Sequence, residues 1–268
     1  MYERDINIVI KRGLEMINFT VSFHRNQNPT EPVDENVIRF WSLYLNDYCK
    51  GSGRELIYCF TPEEYRRLLT CEKTSDSDPL FGGEAMKIAE TKQVLMFPYV
   101  VNNVYALVVI VNPQNFCIKG EKCKLVVFSN DVEISSDITS VCLDYLRKLY
   151  HLMGNKVFEE NHERLYWKNI KIDVPNSAIY VMAFIELIYR QPRKFIAYVL
   201  TAKLVHRYSE LPTLHLQFIK YRDRPYKIIH QAVRQFRLRE YSDGYVSEGA
   251  KTLLQDIIDE DPIYITID

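Results

Sequence analysis

Ser177 is the residue of this chain best placed to do chemistry. It heads a stretch in which Ala178, Ile179, Val181, Met182, Ala183, Phe184, Ile185, Leu187 and Ile188 leave almost no polar face for water. At the N-terminus of such a helix, free backbone N–H groups meet the positive end of the dipole, a setting that activates a nucleophile. A serine hydroxyl still needs a neighbouring base before it attacks anything. Metal chemistry is not expected. The six cysteines (Cys49, Cys59, Cys71, Cys117, Cys123, Cys142) show no CxxC spacing, and none of the six histidines lies at ligand distance in sequence from a cysteine. No cofactor is expected either. Thiols without pairing, and no signal peptide, predict free and mostly buried cysteines in a reducing compartment, cytosol or nucleus.

Two other groups of residues point to binding. Between 190 and 239 lie twelve Lys and Arg against Glu210 and Asp223, a local +10 in a chain whose total is −1. Within it KIIHQAVRQFRL reads as a helix with Ile228, Ile229, Ala232, Val233 and Phe236 on one stripe and Arg234 and Arg237 on its basic side. That asymmetry suits an acidic protein surface first and nucleic acid second. At 263 to 267, Ile263, Ile265 and Ile267 alternate with Tyr264 and Thr266, which predicts a strand, and Asp256, Asp259, Glu260 and Asp261 precede it.

The elements that must position these residues follow from pattern. The stretch WKNIKIDVPNSAIYVMAFIELIYRQP is read as a buried central helix capped by Asn176 and stopped at Pro192. Its apolar run is shorter than the ~20 residues of a membrane span and contains Glu186, so no membrane is expected. INIVI and INFTVSF predict a hairpin within the first thirty residues, and the polar NQNPTEP closes an N-terminal extension at residue 32. Val37, Phe40, Trp41, Tyr44 and Leu45 make one stripe of an amphipathic helix capped by Asp34. RELIYCF predicts a strand, TPEEYRRLL a helix opened by Thr61 and Pro62, and residues 71 to 84 a surface loop. VLMFPYV, YALVVIV and KLVVFS are valine-rich buried strands, with Pro98 placing the first near an edge or bulge. A helix from Ile138 to about Leu152, capped by Ser135, Ser136 or Asp137, leads back to the central stretch. The sum is an α+β domain with helices on a mixed sheet.

Several of these strings, in this order, resemble the Ulp and sentrin-type cysteine proteases that cleave SUMO. VDENVIRFWSLYL is similar to their opening helix, VLMFPYVVNNVYALVVIV to their strand pair, KLVVFSN to the following strand, and NSAIYVMAFIE to the helix that bears the nucleophile. The resemblance covers roughly residues 33 to 190 and implies a papain-like α+β fold, a central buried helix against a mixed sheet, with N- and C-terminal extensions. It divides the chain into 1–32, a protease-like domain at 33–210, and 211–268.

What the resemblance implies about chemistry is negative. The family's cysteine, histidine, aspartate and oxyanion glutamine fall on Ser177, Val104, Phe128 and Lys171, so no member of the set is kept. Neither Val104 nor Phe128 can accept a proton, and Lys171 could serve Ser177 as a base only if buried, because an exposed lysine stays protonated. The two tryptophans between which the family threads its diglycine tail fall on Pro32 and Tyr105. The expectation is a catalytically inactive, protein-binding scaffold subunit of a larger complex, nuclear by resemblance, with a SUMO-like protein among its partners. Ile263, Tyr264, Ile265 and Ile267 resemble a SUMO-interacting motif, the favoured alternative being a strand that closes the protein's own sheet or a partner's, and Tyr105, Arg234 and Arg237 are the other expected contacts. A hydrolase using Ser177, and a nucleic-acid module using residues 190 to 239, are the rival readings.

Overall fold

The valine-rich runs fall at the centre of a five-stranded mixed sheet in a computed structural model of the chain. The structure describes residues 6–12, 15–21, 33, 35–48, 52–70, 80–101, 104–129, 132–166, 177–201 and 263–267. A hairpin of β1 (Ile6–Arg12) and β2 (Glu15–Val21) comes first, followed by helix α1 (Glu35–Tyr48), the short helix α2 (Ser52–Leu56) and β3 (Ile57–Cys59). Helices α3 (Pro62–Thr70) and α4 (Gly83–Thr91) lead to β4 (Val94–Val101) and β5 (Val104–Val111). A 3-10 turn at Pro113–Cys117 precedes β6 (Cys123–Phe128), α5 (Val132–Leu152) and β7 (His162–Tyr166). Central helix α6 (Ser177–Arg190), α7 (Pro192–Leu200) and β8 (Ile263–Ile267) complete it.

The large sheet has the order β3-β4-β5-β6-β7, with β5 antiparallel to both neighbours and β3 and β7 parallel to theirs. Its central strand β5 carries no charged residue, and both of its faces are covered. Along β5, Leu107, Val109 and Val111 pack with α1 and α6, while Ala106, Val108 and Ile110 pack with α3, α4 and α5. Pro98 has β5 beside it through Leu107, but β3 pairs only as far as Met96, so its missing N–H takes nothing from that ladder.

Helix α6 is buried along its length, from Ser177 to Tyr189 with only Leu187 half-exposed, as its all-round apolar sequence requires. The Trp41 indole N–H donates to the Met182 carbonyl at 3.1 Å and ties α1 to its midpoint. Gly53 of α2 comes so close that a Cβ there would lie 2.3 Å from the Tyr189 carbonyl oxygen. Only glycine permits that approach.

Several elements depart from the sequence expectation. RELIYCF is not one strand: α2 runs to Leu56 and only Ile57–Cys59 is extended. Ser135, Ser136 and Asp137 are not caps, because α5 starts at Val132 and includes them. Pro192 ends α6 but also opens α7, its fixed φ and absent N–H suiting the first turn of a helix. Helix α4 and strand β7 were not anticipated. α4 begins at the last two residues of the segment read as a loop, Gly83 and Glu84, and runs beyond it, with Ala85 and Ala89 as its buried positions. The opening of α3 is as expected and more complete: the Glu64 N–H donates to Thr61 Oγ1 at 3.1 Å while the Thr61 N–H donates to Glu64 Oε2 at 2.6 Å. That reciprocal pair is a capping box.

The C-terminal strand forms as its alternation predicts. β8 pairs in parallel with β1, Ile8 opposite Ile263 through Arg12 opposite Ile267, and builds a second sheet of order β2-β1-β8. The N- and C-terminal extensions are thereby joined to each other. Asp34, Asn176, Lys171, Pro32, Arg234, Arg237 and the helix expected around residues 228 to 236 lie outside the described residues.

Candidate functional site

The start of α6, the start of β5 and the end of β6 converge where the sequence placed its degenerate residues. Ser177 is the first residue of α6 and is 4% exposed. Its Oγ accepts the backbone N–H of Tyr105 at 3.2 Å, so the serine sits against the first peptide of β5, immediately after Val104. Phe128 ends β6, lies opposite Leu107 of β5, and places its ring 4.4 Å from that of Phe184, two turns along α6 from Ser177. Tyr105 and Phe128 belong to the same apolar cluster as α6. Ser177 thus adjoins the start of β5, while Phe128, at the position mapped to the orienting acid, packs two turns further along α6.

What gathers there is apolar and neutral. Tyr105 is buried, and its hydroxyl donates to the Val33 carbonyl at 2.7 Å. Val33 is itself buried, so the aromatic residue expected to line a substrate channel is engaged by a backbone carbonyl of the fold. His162, a histidine the structure describes, opens β7 opposite Cys123 at the start of β6, whereas Phe128 is at its end. The imidazole therefore stands at the far end of that ladder from Ser177. The charged pair on α6 is likewise remote from the serine: Glu186 meets Arg190 at 2.6 Å in the last turn.

The described thiols offer no substitute nucleophile. Burial pushes the Cys123 thiol up to about 12 and the Cys59 and Cys142 thiols well above their ordinary value, and half-buried Cys117 is raised by the same cause. A protonated thiol in an apolar setting is inert at neutral pH. Among the described residues no group of His, Cys, Asp and Glu is arranged to hold a metal, and no helix is long and apolar enough to cross a membrane.

A cavity of about 220 Å³ opens elsewhere, between α1, β3, α3 and α4, and pattern reading missed it. Its polar lining includes Arg39, Tyr58, Glu63, Glu64 and Arg67. These groups are engaged with one another: Arg39 pairs with Glu63 at 2.5 Å, and the Tyr58 hydroxyl donates to Glu64 at 3.3 Å. The only advance signal was the acidic pair after Thr61, which reads equally as the first turn of a helix.

No family model and no curated protein matches the chain. Solved structures do. A crystal structure described as a de-sumoylating protease is similar over 97% of this chain and 100% of its own, at 12% identity and a TM-score of 0.62. The C-terminal Ulp1 protease domain, solved in complex with Smt3, the yeast ortholog of SUMO, is similar over 70% of this chain and 78% of its own, at 14% identity and a TM-score of 0.45. The first of these likenesses shows the fold: an α+β architecture, with a five-stranded mixed sheet and helices, similar to that of the de-sumoylating protease.

Proposed function

We propose that this chain is a catalytically inactive relative of the SUMO proteases that serves as a protein-binding scaffold subunit of a larger, nuclear complex. The single observation that carries the reading is the engagement of Ser177. Its Oγ accepts a backbone N–H from Tyr105, and Phe128, at the position mapped to the orienting acid, is packed on Phe184. A serine nucleophile needs a base to take its proton and a third group to orient that base, and a phenylalanine can be neither. Loss of general-base help alone removes about 10²-fold or more in rate.

The hydrogen bond between Tyr105 and Val33 supports the same reading from the substrate side. A tail threaded beside Tyr105 would have to displace this bond, in which the Tyr105 hydroxyl stands 2.7 Å from the Val33 carbonyl oxygen. Partner binding, a SUMO-like protein included, then falls to surfaces other than the old cleft. The test is incubation of the full chain with a fluorogenic SUMO-tail reporter. The expected rate equals that of buffer. Turnover that disappears in Ser177→Ala would overturn the reading in favour of a serine hydrolase.

A further inference from the structure

The cavity between α1, β3, α3 and α4 draws its aromatic wall from the face of the large sheet away from α6: Tyr58, Phe60 and Tyr145 all belong to the cluster that includes α3, α4 and α5. Their planes are crossed. Phe60 meets Tyr58 at 82° with centroids 5.0 Å apart, and meets Tyr145 at 82° with centroids 5.6 Å apart. Phe60 is fixed in turn by stacking on Phe97 at 4.3 Å. Crossed rings make the walls of a box, and an aromatic face is electrostatically negative. Three carboxylates, Glu63, Glu64 and Glu84, and two guanidiniums, Arg39 and Arg67, share the lining, which therefore carries one more negative charge than positive. Arg39 and Glu63 neutralise each other at 2.5 Å. Glu64 is held in place from two sides, by the Thr61 N–H at 2.6 Å and the Tyr58 hydroxyl at 3.3 Å. Arg67 is exposed on α3, one turn beyond Glu63 and Glu64, and Glu84 is exposed in the first turn of α4.

Size and charge together select the ligand. At about 220 Å³ the cavity is smaller than the ~300–1,000 Å³ of sites that enclose a drug-sized molecule, so it takes a group the size of one side chain. An anion meets a net negative lining, and a neutral apolar group gives the carboxylates nothing in exchange for their water. A lysine ammonium has the right charge but is strongly hydrated and brings three donors, while both Glu64 oxygens already accept donors. A methylated ammonium keeps the charge, sheds the donors and is suited to ring faces. We propose that this cavity binds the methylated lysine side chain of a protein partner, its ammonium boxed by Tyr58, Phe60 and Tyr145 and balanced by Glu64 and Glu84. The proposal rests on the protein-binding part of the function proposed above and is independent of whether Ser177 reacts.

The test is calorimetric titration of the full chain with the N-acetyl amide of trimethyllysine, that of its neutral isostere with carbon in place of the ammonium nitrogen, that of glutamate, and choline. The trimethyllysine probe should bind at least ~10-fold tighter than its isostere, since the two share a shape and differ only in charge. Glu84→Gln, at an exposed position, should narrow that margin by roughly 3-fold and leave the isostere unchanged. Tyr58→Leu removes one wall and should cost the trimethyllysine probe more than the isostere; if circular dichroism shows that this variant does not fold, Glu84→Gln and the matched probes decide. Equal binding of the isostere, tighter binding of the glutamate probe, binding of no probe, or an unmoved margin in Glu84→Gln overturns the proposal. Choline binding as tightly as the trimethyllysine probe overturns it as well, because the occupant would then be a free ammonium compound and not a partner's side chain. If the probes fail while the SUMO-tail reporter stays uncleaved, the lysine site falls and the inactive reading stands; cleavage with probe binding intact separates the two the other way.

Discussion

The two ends of helix α6 do different work. Its C-terminal turn is crowded with polar satisfaction and close approach: Tyr189 donates its hydroxyl to Asn46 Oδ1, Glu186 is paired with Arg190, and Gly53 presses on the Tyr189 carbonyl. At its N-terminal turn the Ser177 Oγ accepts the backbone N–H of Tyr105. In a working thiol or serine protease the demanding geometry is at the N-terminus, where the dipole and the free N–H groups are used. Among the contacts described, the close approach and the buried amide network fall at the end that holds the fold. Under the function proposed above, a scaffold without catalysis need preserve only these.

The largest effect should therefore come from the C-terminal end. Asn46 satisfies both backbone groups of Cys59 and accepts from Tyr189, all in the interior. Asn46→Ala removes these partners together and leaves buried donors and an acceptor unmet, at about 1–3 kcal/mol for an unsatisfied group. A loss of about 3 kcal/mol in urea unfolding is expected. A change under about 0.5 kcal/mol, the range of an ordinary surface substitution, would show that the network carries little and would dissolve the contrast between the two ends.

An intermediate effect is expected at the N-terminal end from Tyr105→Phe. The ring stays, so the packing of the cluster is kept, but the Val33 carbonyl loses its donor. A single neutral hydrogen bond of this kind is worth about 1 kcal/mol, so the melting temperature should fall by a few degrees. The same variant sharpens the proposed closure of the channel. If release of Val33 allowed a SUMO-tail peptide to bind where the unaltered chain binds none, the Tyr105 hydroxyl would be the bolt on that channel. If stability falls and no tail binds, the site is closed by more than one bond.

Much of this contrast was legible in the sequence, and the exceptions have physical causes. The buried helix, the valine-rich strands and the stripe on α1 are strong periodic signals over long segments, and they stand as read. Strand β7 was missed because His162, Glu163 and Arg164 give it no apolar alternation; it is an edge strand, and edge strands are allowed to be charged. Helix α5 began six residues early because its first turns carry Ser135, Ser136 and Asp137, which pattern reading takes for caps. At the site, the juxtaposition of Ser177 with the start of β5 came only from family resemblance, since a separation of 72 positions carries no local signal. The Tyr105–Val33 bond was beyond reach for the same reason. Asn46 was invisible: one amide on a helix says nothing of a strand edge that it will complete.

The smallest effect expected is none, and it is the sharpest test of the N-terminal end. Ser177→Cys supplies the thiol that the family uses, in a position against the start of β5 where the fold would place it. A thiol attacks as its thiolate, and the free group titrates near ~8.5, lowered only by a partner such as an imidazolium or by the helix terminus. Against that help stands burial: Ser177 is 4% exposed, and the described cysteines show burial raising thiols in this interior. The side chains of Tyr105 and Phe128 cannot take a proton from the new thiol. The sulfur is also larger than the oxygen it replaces, so the bond to the Tyr105 N–H should lengthen. We expect the variant to fold, to react slowly with iodoacetamide at pH 7, and to leave a SUMO-tail reporter uncleaved. Measurable turnover from this one change would mean that a base reaches residue 177 from a part of the chain other than Val104 and Phe128, and the N-terminal end of α6 would then have to be read as an active site lacking only its nucleophile.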